Sequence, residues 1–448
     1  MSTVHNFPGG IHPQEGMGGK AVTAGLPIVE APQPSRVVIP LQQHIGAPCK
    51  PLVQRGDAVK VGQMIGEPVG AMSAAVHASV SGRVVDCQPC ILANGTQQNC
   101  VIIDNDFQDA WTPLTRVENP ESLSADELSG LARRMGIVGL GGATFPTAVK
   151  IAVPADKKVD TLVLNGAECE PYLSADHRLM VEHAQKIVAG ARVMQRALGI
   201  SRVLIGIELN KPDAIEAMTK ECAQYDDFKV IGLKVKYPQG GEKQLVYALT
   251  GRKVRMGGLP LDIGVIVTNV GTCHALCRAV YEGRPLVDRV VTVGGCVEKP
   301  ANYLVRIGTP VEWLLDTSGG ALPQTKMLIY GGPMMGLAIS RGDIPITKGC
   351  SGILALDKLS ALAEEGPCIR CGRCLSVCPM KLAPATIDRY VRKSMFEAAE
   401  KASVMNCIEC GSCSWTCPAR RNLTQSCRVG KRIITERRNE EAAKKGAK

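Results

Sequence analysis

Residues 368–379 read CIRCGRCLSVCP, and residues 407–418 repeat the pattern as CIECGSCSWTCP. Each run has three cysteines at Cys-x2-Cys-x2-Cys spacing and, after three more residues, a fourth cysteine followed by proline. Three thiolates at this spacing ligate one iron–sulfur cube, whereas the fourth cysteine ligates the neighbouring cluster. The two runs therefore predict a pair of [4Fe–4S] clusters whose ligands hold both repeats together in one small domain.

The crossed ligation assigns four cysteines to each cluster. Cluster I is predicted to be held by Cys368, Cys371, Cys374 and Cys417. Cluster II is predicted to be held by Cys407, Cys410, Cys413 and Cys378. Structural zinc is the alternative, but zinc sites typically use two CxxC pairs and do not account for a doubled run that ends in Cys-Pro. The spacer, residues 382–406, has apolar side chains at helical spacing, which predicts a helical variant of the ferredoxin fold.

Composition limits the other possibilities for this chain of 448 residues. The start is polar and rich in glycine and proline, so no signal peptide is predicted. The most apolar stretch, 259–280, is broken by polar residues and is expected to be buried core and not a membrane span. The 19 cysteines, without a secretory signal, are expected to be metal ligands or buried thiols and not disulfides.

The net charge of +10 is concentrated near the C-terminus. Either a solvated tail or attraction to an anionic membrane or an acidic partner would account for it, and a solvated tail is favoured. A nucleic-acid role is not predicted, because no basic face interleaved with aromatic residues is evident.

A glycine-rich segment, GIVGLGGATFPTAVK (136–150), precedes the cysteine runs. Gly139, Gly141 and Gly142 allow close approach of a ligand to the backbone, and N–H groups in such a loop can bind a phosphate. Lys150 would add a charge. A plain glycine-rich turn is the structural alternative.

Three more segments place polar residues after apolar strands or before helices. In TLVLNGAECEPYLSADHRLM (161–180), Asn165, Glu168 and Glu170 follow a strand, at the position where α/β proteins bind ligands. A polar loop capping the next helix is the alternative. The segment 236–251 pairs glycines with a Glu before a helix, and 265–276 carries polar residues at a strand end.

These four segments resemble the flavin- and NADH-binding subunit of respiratory complex I. The resemblance implies FMN contacts from Gly139, Gly141, Gly142, Lys150, Asn165, Glu168, Asn269 and Thr272. It further implies that Tyr237, Gly240, Glu242 and Glu170 lie around the flavin and the nicotinamide nucleotide, with Glu168 and Glu242 tuning the flavin. The sequence departs from that family's pattern at Leu140, Thr144, Ala167 and Gly241.

The chain as a whole is similar to the C subunits of the Rnf complex, a membrane-bound ferredoxin:NAD+ oxidoreductase. FPGGIHP (7–13) and the segments 39–67 and 77–84 fit that family, and the order of parts also fits. The resemblance ends soon after the second cysteine run, so a C-terminal extension seen in some relatives is expected to be absent. It implies an NADH-linked oxidoreductase subunit with two [4Fe–4S] clusters, FMN and NAD(H).

The same resemblance implies partners and a location. Other membrane and iron–sulfur subunits of the complex would contact the chain directly, and ferredoxin would act indirectly. The chain would sit peripherally on the cytoplasmic face of the inner membrane, held through its partners.

The expected architecture is a multidomain α/β chain. A lipoyl-like β-sandwich is predicted over 1–115, a Rossmann-like FMN/NADH domain over 116–284 and a β-grasp domain over 285–348. A helical double [4Fe–4S] ferredoxin-like domain follows over 349–435, and a basic tail over 436–448. Lipoyl-type domains carry a modified Lys at a hairpin tip, but the tip here has none, so carrier function is not expected.

Two other functions remain open on the sequence. A cobalamin reductase-type flavin/iron–sulfur protein shares the modules, although its clusters are expected away from the C-terminus. A non-catalytic iron–sulfur electron wire with a degenerate nucleotide pocket is compatible with Leu140, Ala167 and Gly241.

Overall fold

The computed structural model describes residues 5–357 and 364–446. After one short helix, the N-terminal part consists of strands: α1 (Lys20–Thr23), β1 (Ile28–Glu30), β2 (Arg36–Pro40), β3 (Lys50–Pro51), β4 (Ala58–Val59), β5 (Met64–Glu67), β6 (Val76–His77), β7 (Gly82–Ile91) and β8 (Gln97–Asn105). Two sheets, in the orders β2-β8-β7-β4 and β3-β5-β6, enclose a core of aliphatic side chains that includes Ile39, Ile65 and Ile103. This is the expected barrel-sandwich architecture.

The segment that precedes this sandwich pairs with other parts of the chain. Strand β1 runs parallel to residues 302–304, and Ile11 forms an antiparallel bridge with Tyr237. The predicted hairpin tip, residues 70–78, packs against the next domain. Residues 73–80 are buried, and the Ala75 N–H donates to the Arg133 carbonyl at 3.0 Å.

The middle of the chain forms a parallel α/β domain. Its elements are α2 (Ala125–Arg134), α3 (Thr147–Ile151), β9 (Thr161–Gly166), α4 (Ala175–Glu182), α5 (Ala184–Leu198), β10 (Arg202–Glu208), α6 (Pro212–Cys222), β11 (Phe228–Leu233), α7 (Glu242–Thr250), β12 (Val265–Asn269) and α8 (Val270–Cys277). The sheet order is β11-β10-β9-β12, with all pairs parallel. Helices α5 and α8 cross closely at Gly190, where a Cβ would lie 2.0 Å from the Cys273 carbonyl oxygen.

A mixed sheet follows. It is built from β13 (Asp288–Gly295), β14 (Ala301–Arg306), α9 (Val311–Thr317), β15 (Met327–Tyr330), β16 (Leu337–Ile339) and β17 (Gly352–Leu356). With β1 at its edge, the sheet has the order β1-β14-β13-β17-β15-β16, and α9 packs on it through Val311 and Leu314. The N-terminal segment thus contributes one edge strand, β1, to this sheet.

The C-terminal domain is helical. Its elements are α10 (Arg373–Val377), α11 (Pro384–Arg392), α12 (Phe396–Lys401), α13 (Ser412–Trp415) and α14 (Leu423–Gly446). Helices α11 and α12 occupy the spacer between the cysteine runs, as the apolar spacing predicted. Helix α14 begins within the cluster domain and continues to residue 446, so the structure has helix across the expected start of the basic tail at 436.

Asp388 is a buried carboxylate that links several segments of this domain by hydrogen bonds. Its side chain is 2% exposed, and it accepts hydrogen bonds from Ser426, Arg392 and Arg421. Burial alone would raise the pKa of this carboxyl, but these donors hold it below its ordinary value.

We expect Asp388→Asn to destabilise the cluster domain by about 1.5–3 kcal/mol, because the hydrogen bonds from Arg392 and Arg421 lose their charged acceptor. Thermal loss of the visible cluster absorbance, followed on the purified chain, measures the effect. Asp343→Asn is the matched control, since Asp343 forms an exposed ion pair with Arg341 that is worth about 0–1 kcal/mol. Equal thermal midpoints for the two variants would contradict the prediction.

Candidate functional site

The predicted flavin residues meet at one edge of the parallel sheet. Asn165, near the end of β9, is the register partner of Asn269, the last residue of β12. Loops leave both strands at this edge, where open α/β sheets bind ligands. The sheet therefore brings together segments that are more than 100 residues apart in the chain.

The glycine loop lies over the start of α8. The Leu140 N–H donates to Thr272 Oγ1 at 2.9 Å, which fixes the loop to the helix. Asn269 Oδ1 accepts from the N–H groups of Gly271 and Thr272, capping α8. Gly141 faces the Asn269 side chain, and a Cβ there would lie 3.6 Å from it.

Lys150 follows the loop on α3 and reaches toward the same edge of the sheet. Its Nζ donates to the Val267 carbonyl at 2.8 Å and lies 3.3 Å from the Glu242 carboxylate at the start of α7. The ammonium group is thus placed where the glycine loop, β12 and α7 converge. It can offer a charge to an anionic or carbonyl-rich ligand.

Asn165 joins the acidic loop to the turn before α7. Its Nδ2 donates to the Gly240 carbonyl at 2.9 Å, and the Gly240 N–H donates to Cys169 Sγ at 3.2 Å. A Cβ on Gly240 would lie 3.4 Å from both polar atoms of the Asn165 amide, within ordinary van der Waals contact. The turn before α7 is therefore held against the acidic loop by hydrogen bonds.

The two glutamates of the acidic loop have different surroundings. Glu168 accepts from the N–H groups of Asp176 and His177 at 2.7 and 3.1 Å, so its carboxylate lies on the N-terminus of α4. Glu170 accepts from the Met334 N–H at 3.0 Å and lies 3.4 Å from the Tyr237 hydroxyl. Burial raises the pKa of Glu170 to about 7.

Two site-edge residues were missed from the sequence. Asp176 accepts from Asn269 Nδ2 at 2.7 Å, and its burial beside Glu168 raises its pKa to about 7. Arg289, on β13, is buried and donates to the Leu140 carbonyl from beneath the glycine loop. Asp176 lies in the 161–180 segment but was given no role there, and Arg289 lies 149 residues along the chain from the leucine it supports.

The ligand set assigned to cluster II lines one apolar cavity. Cys378, Cys407, Cys410 and Cys413 all line this cavity. A fifth cysteine, Cys427 of α14, also lines it. A hydrogen bond with Cys427 lowers the pKa of Cys407 to about 7, toward the thiolate form that binds metal. The cysteines of the predicted crossed ligand set thus border one cavity.

The ligand set assigned to cluster I lies nearer the surface. Cys368 and Cys371 are exposed, Cys374 is buried and Cys417 is intermediate. Cys374 and Cys417 pack in the same apolar group as Cys413, a cluster II ligand. The two ligand sets are therefore adjacent.

Cluster II faces the flavin loops. Cys410 packs with Tyr237 and Ile11, and Ile408 and Met334 join the same apolar group. Gln244 of α7 donates to the Pro379 carbonyl at 3.4 Å. The order of groups through the chain is thus flavin loops, cluster II ligands and cluster I ligands.

The residues at the sheet edge fit FMN by their chemistry. Residues 141–143 of the glycine loop are exposed, so N–H groups there are open to a ligand. The Lys150 ammonium and the Asn165 amide lie on neighbouring elements, where a phosphate and a carbonyl-bearing ring need donors. Lys150, Asn165 and the glycines are the residues that would hold this cofactor.

Four family models match separate parts of the chain. They are the RnfC barrel sandwich hybrid domain at residues 5–108, the Nuo51 FMN-binding domain at 132–278, the SLBB domain at 290–338 and the 4Fe-4S dicluster domain at 361–418. The matches follow the order of the observed domains, and they confirm the predicted fold class and the FMN and iron–sulfur cofactors.

Two curated relatives match almost the whole chain. One, from Clostridium ljungdahlii, is named as the C subunit of a proton-translocating ferredoxin:NAD(+) oxidoreductase complex; it is 49% identical, over 94% of this chain and 93% of the relative. The other, from Acetobacterium woodii, is named as the C subunit of a Na(+)-translocating ferredoxin:NAD(+) oxidoreductase complex; it is 46% identical, over 98% of this chain and 99% of the relative.

A solved structure of an NAD+-reducing [NiFe]-hydrogenase in the H2-reduced state shares the fold, with a TM-score of 0.50 and 18% identity. The match covers 68% of this chain and 64% of the hydrogenase chain.

The fold and the two groups of ligands define an electron-transfer flavoprotein with iron–sulfur clusters. Within that class, the chain belongs to the family of C subunits of ion-translocating ferredoxin:NAD+ oxidoreductase complexes, the Rnf family.

None of the helices in residues 5–357 and 364–446 has the length and apolar character that crossing a bilayer requires.

Proposed function

We propose that this chain is the subunit that exchanges electrons with NAD(H) in an ion-translocating ferredoxin:NAD+ oxidoreductase complex. FMN would lie at the sheet edge, and the two [4Fe–4S] clusters would lie in the C-terminal domain. The observation that carries the proposal is the contact between Tyr237, at the flavin loops, and Cys410, a cluster II ligand.

The chemistry requires a converter between hydride and single electrons, which FMN supplies when bound. Lys150 and Asn165 would hold the flavin, with Gly139, Gly141 and Gly142 admitting it close to the backbone. Thr272 fixes the loop by accepting from Leu140 N–H, and Asn269 holds the start of α8. Gly240 keeps the facing turn close to Asn165.

The acidic residues would position and tune this site. Glu242 pairs with Lys150 and so orients the ammonium group. Glu170, whose pKa is raised to about 7 by burial, can hold a proton beside Tyr237 near neutral pH. Glu168 would act on the flavin through α4, because its carboxylate binds the N-terminus of that helix.

The partners would be the other membrane and iron–sulfur subunits of the complex, with ferredoxin acting indirectly. The chain would sit on the cytoplasmic face of the inner membrane through these subunits. The proposed domains are the β-sandwich at 1–115, the FMN/NADH domain at 116–284, the β-grasp domain at 285–348 and the cluster domain at 349–435, followed by the basic tail at 436–448.

Anaerobically purified chain tests the function. We expect about eight irons and one FMN per chain, and bleaching of the visible spectrum by NADH. Eight irons without flavin or a response to NADH would contradict the proposal and favour an electron wire. The same assay with a cobalamin substrate as electron acceptor separates the cobalamin reductase alternative.

A further inference from the structure

The two cysteine runs are pseudo-repeats whose loops have different surroundings. CIECGSC (407–413) packs against the flavin domain, and its Ile408 lies with Tyr237 and Met334. In CIRCGRC (368–374), the equivalent Ile369 is 64% exposed. The chain itself thus covers one copy of this ligand loop and leaves the other open.

The central glycine of each loop shows the same difference in surroundings, although the two glycines share one backbone conformation. Gly372 and Gly411 both have left-handed backbone, with φ of +75° and +79°. A Cβ on Gly411 would lie 3.0 Å from the Met334 carbonyl oxygen, whereas a Cβ on Gly372 would meet none of the described residues within 4 Å. The difference therefore lies in what covers each loop and not in its conformation.

The open loop has an apolar rim. Leu375 on α10 is 53% exposed and Trp415 on α13 is 50% exposed, and these two helices pack together beside the cluster I ligands. Together with Ile369, these side chains form what we call the cluster I face. Large exposed apolar side chains grouped around a functional centre mark interaction sites.

The charge of the cluster I face is positive. Arg370 and Arg373 lie between the cluster I cysteines, and Arg420 follows Cys417 by three residues; all three are exposed. The ion pairs of this domain use other cations, such as Arg392 and Arg421, and within the described residues these three arginines pair with no carboxylate. At the position of Arg370, the covered repeat has Glu409, which is paired with Arg428 and Lys431.

We propose that the cluster I face is the docking surface for a companion subunit of the complex that presents acidic side chains around its own one-electron centre. In the second cysteine run of this same chain, the equivalent loop is covered by the flavin domain and by Met334. Unpaired arginines around an apolar centre select an acidic partner, since like charges would repel a basic one. One electron would cross this surface between cluster I and the partner's centre, with no bond formed and no proton transferred. The inference rests on the proposed function.

The assembled complex, carrying a tagged copy of this chain, tests the proposal. We expect the double variant Arg370→Glu/Arg373→Glu to co-purify with the companion subunits at least about 10-fold less than the wild type, with the loss largest at low ionic strength. Lys401→Glu is the matched control, because Lys401 is exposed on α12, which packs on α11 and α14. We expect it to assemble as the wild type does.

A photo-crosslinking residue at Ile369 identifies the occupant. We expect it to join an acidic segment of a companion subunit. Assembly of the double variant at the wild-type level, equal loss with Lys401→Glu, or crosslinks to a second copy, a lipid or a freely diffusing carrier would overturn the proposal. The isolated double variant is expected to retain its irons, FMN and bleaching by NADH, so failure of the proposed function would be visible separately.

Discussion

Replacement of Cys378 by alanine is expected to remove cluster II, although Cys378 belongs to the first cysteine run. In the structure it lines the cavity formed with Cys407, Cys410 and Cys413 of the second run. Loss of one thiolate leaves an incomplete ligand set in an apolar space, and about half of the irons should be lost. Iron and sulfide assays with EPR of the reduced chain measure the effect.

The reciprocal variant makes the test specific. Cys417→Ala should remove cluster I and leave the signal of cluster II, since Cys417 packs with Cys374 of the first run. Cys87→Ala is the control: this cysteine is exposed on β7, and its loss should leave about eight irons. If Cys378→Ala instead abolishes the cluster held by its own run, the crossed ligation is wrong.

Loss of bound flavin is the second large effect we expect, from Lys150→Ala. The ammonium group sits between the Val267 carbonyl and the Glu242 carboxylate at the sheet edge. Its removal should weaken FMN binding about 10- to 100-fold, which corresponds to one charge-assisted hydrogen bond of about 1.5–3 kcal/mol. Fluorescence of FMN released on dilution measures the affinity.

Lys157→Ala provides the comparison for this variant. Lys157 precedes β9, at the opposite end of the strand from the flavin residues, and pairs with Asp262 at 3.0 Å on the surface. Its flavin affinity should equal that of the wild type. A Lys150→Ala chain that binds FMN as tightly as Lys157→Ala would remove Lys150 from the predicted site, while leaving the cluster assignments untouched.

Local patterns account for the parts of this protein that could be predicted. A cysteine run has a fixed spacing because one cube needs its ligands in one short loop, so CIRCGRCLSVCP and CIECGSCSWTCP indicate their cofactor without reference to the rest of the chain. Glycine and polar residues after apolar strands likewise predict a ligand-binding edge. The helices of the spacer followed from apolar periodicity.

Contacts between distant segments were not predictable in this way. Arg289 supports the glycine loop at Leu140, and Cys427 joins the cluster II cavity from a helix outside both cysteine runs. Neither residue carries a local signal, because its role depends on a contact with residues that are distant in the sequence. The pairing of β1 with β14, far along the sequence, has the same origin.

The sequence by itself determined the cofactor classes and the order of the domains, because these depend on residue type and short spacing. Only the tertiary structure decided which cysteine run packs against the predicted flavin loops. The two cysteine loops share the pattern CIxCGxC, but Ile408 packs beside Tyr237 whereas Ile369 remains exposed. The difference arises from the packing of the cluster domain on the flavin domain, which involves residues far from either loop.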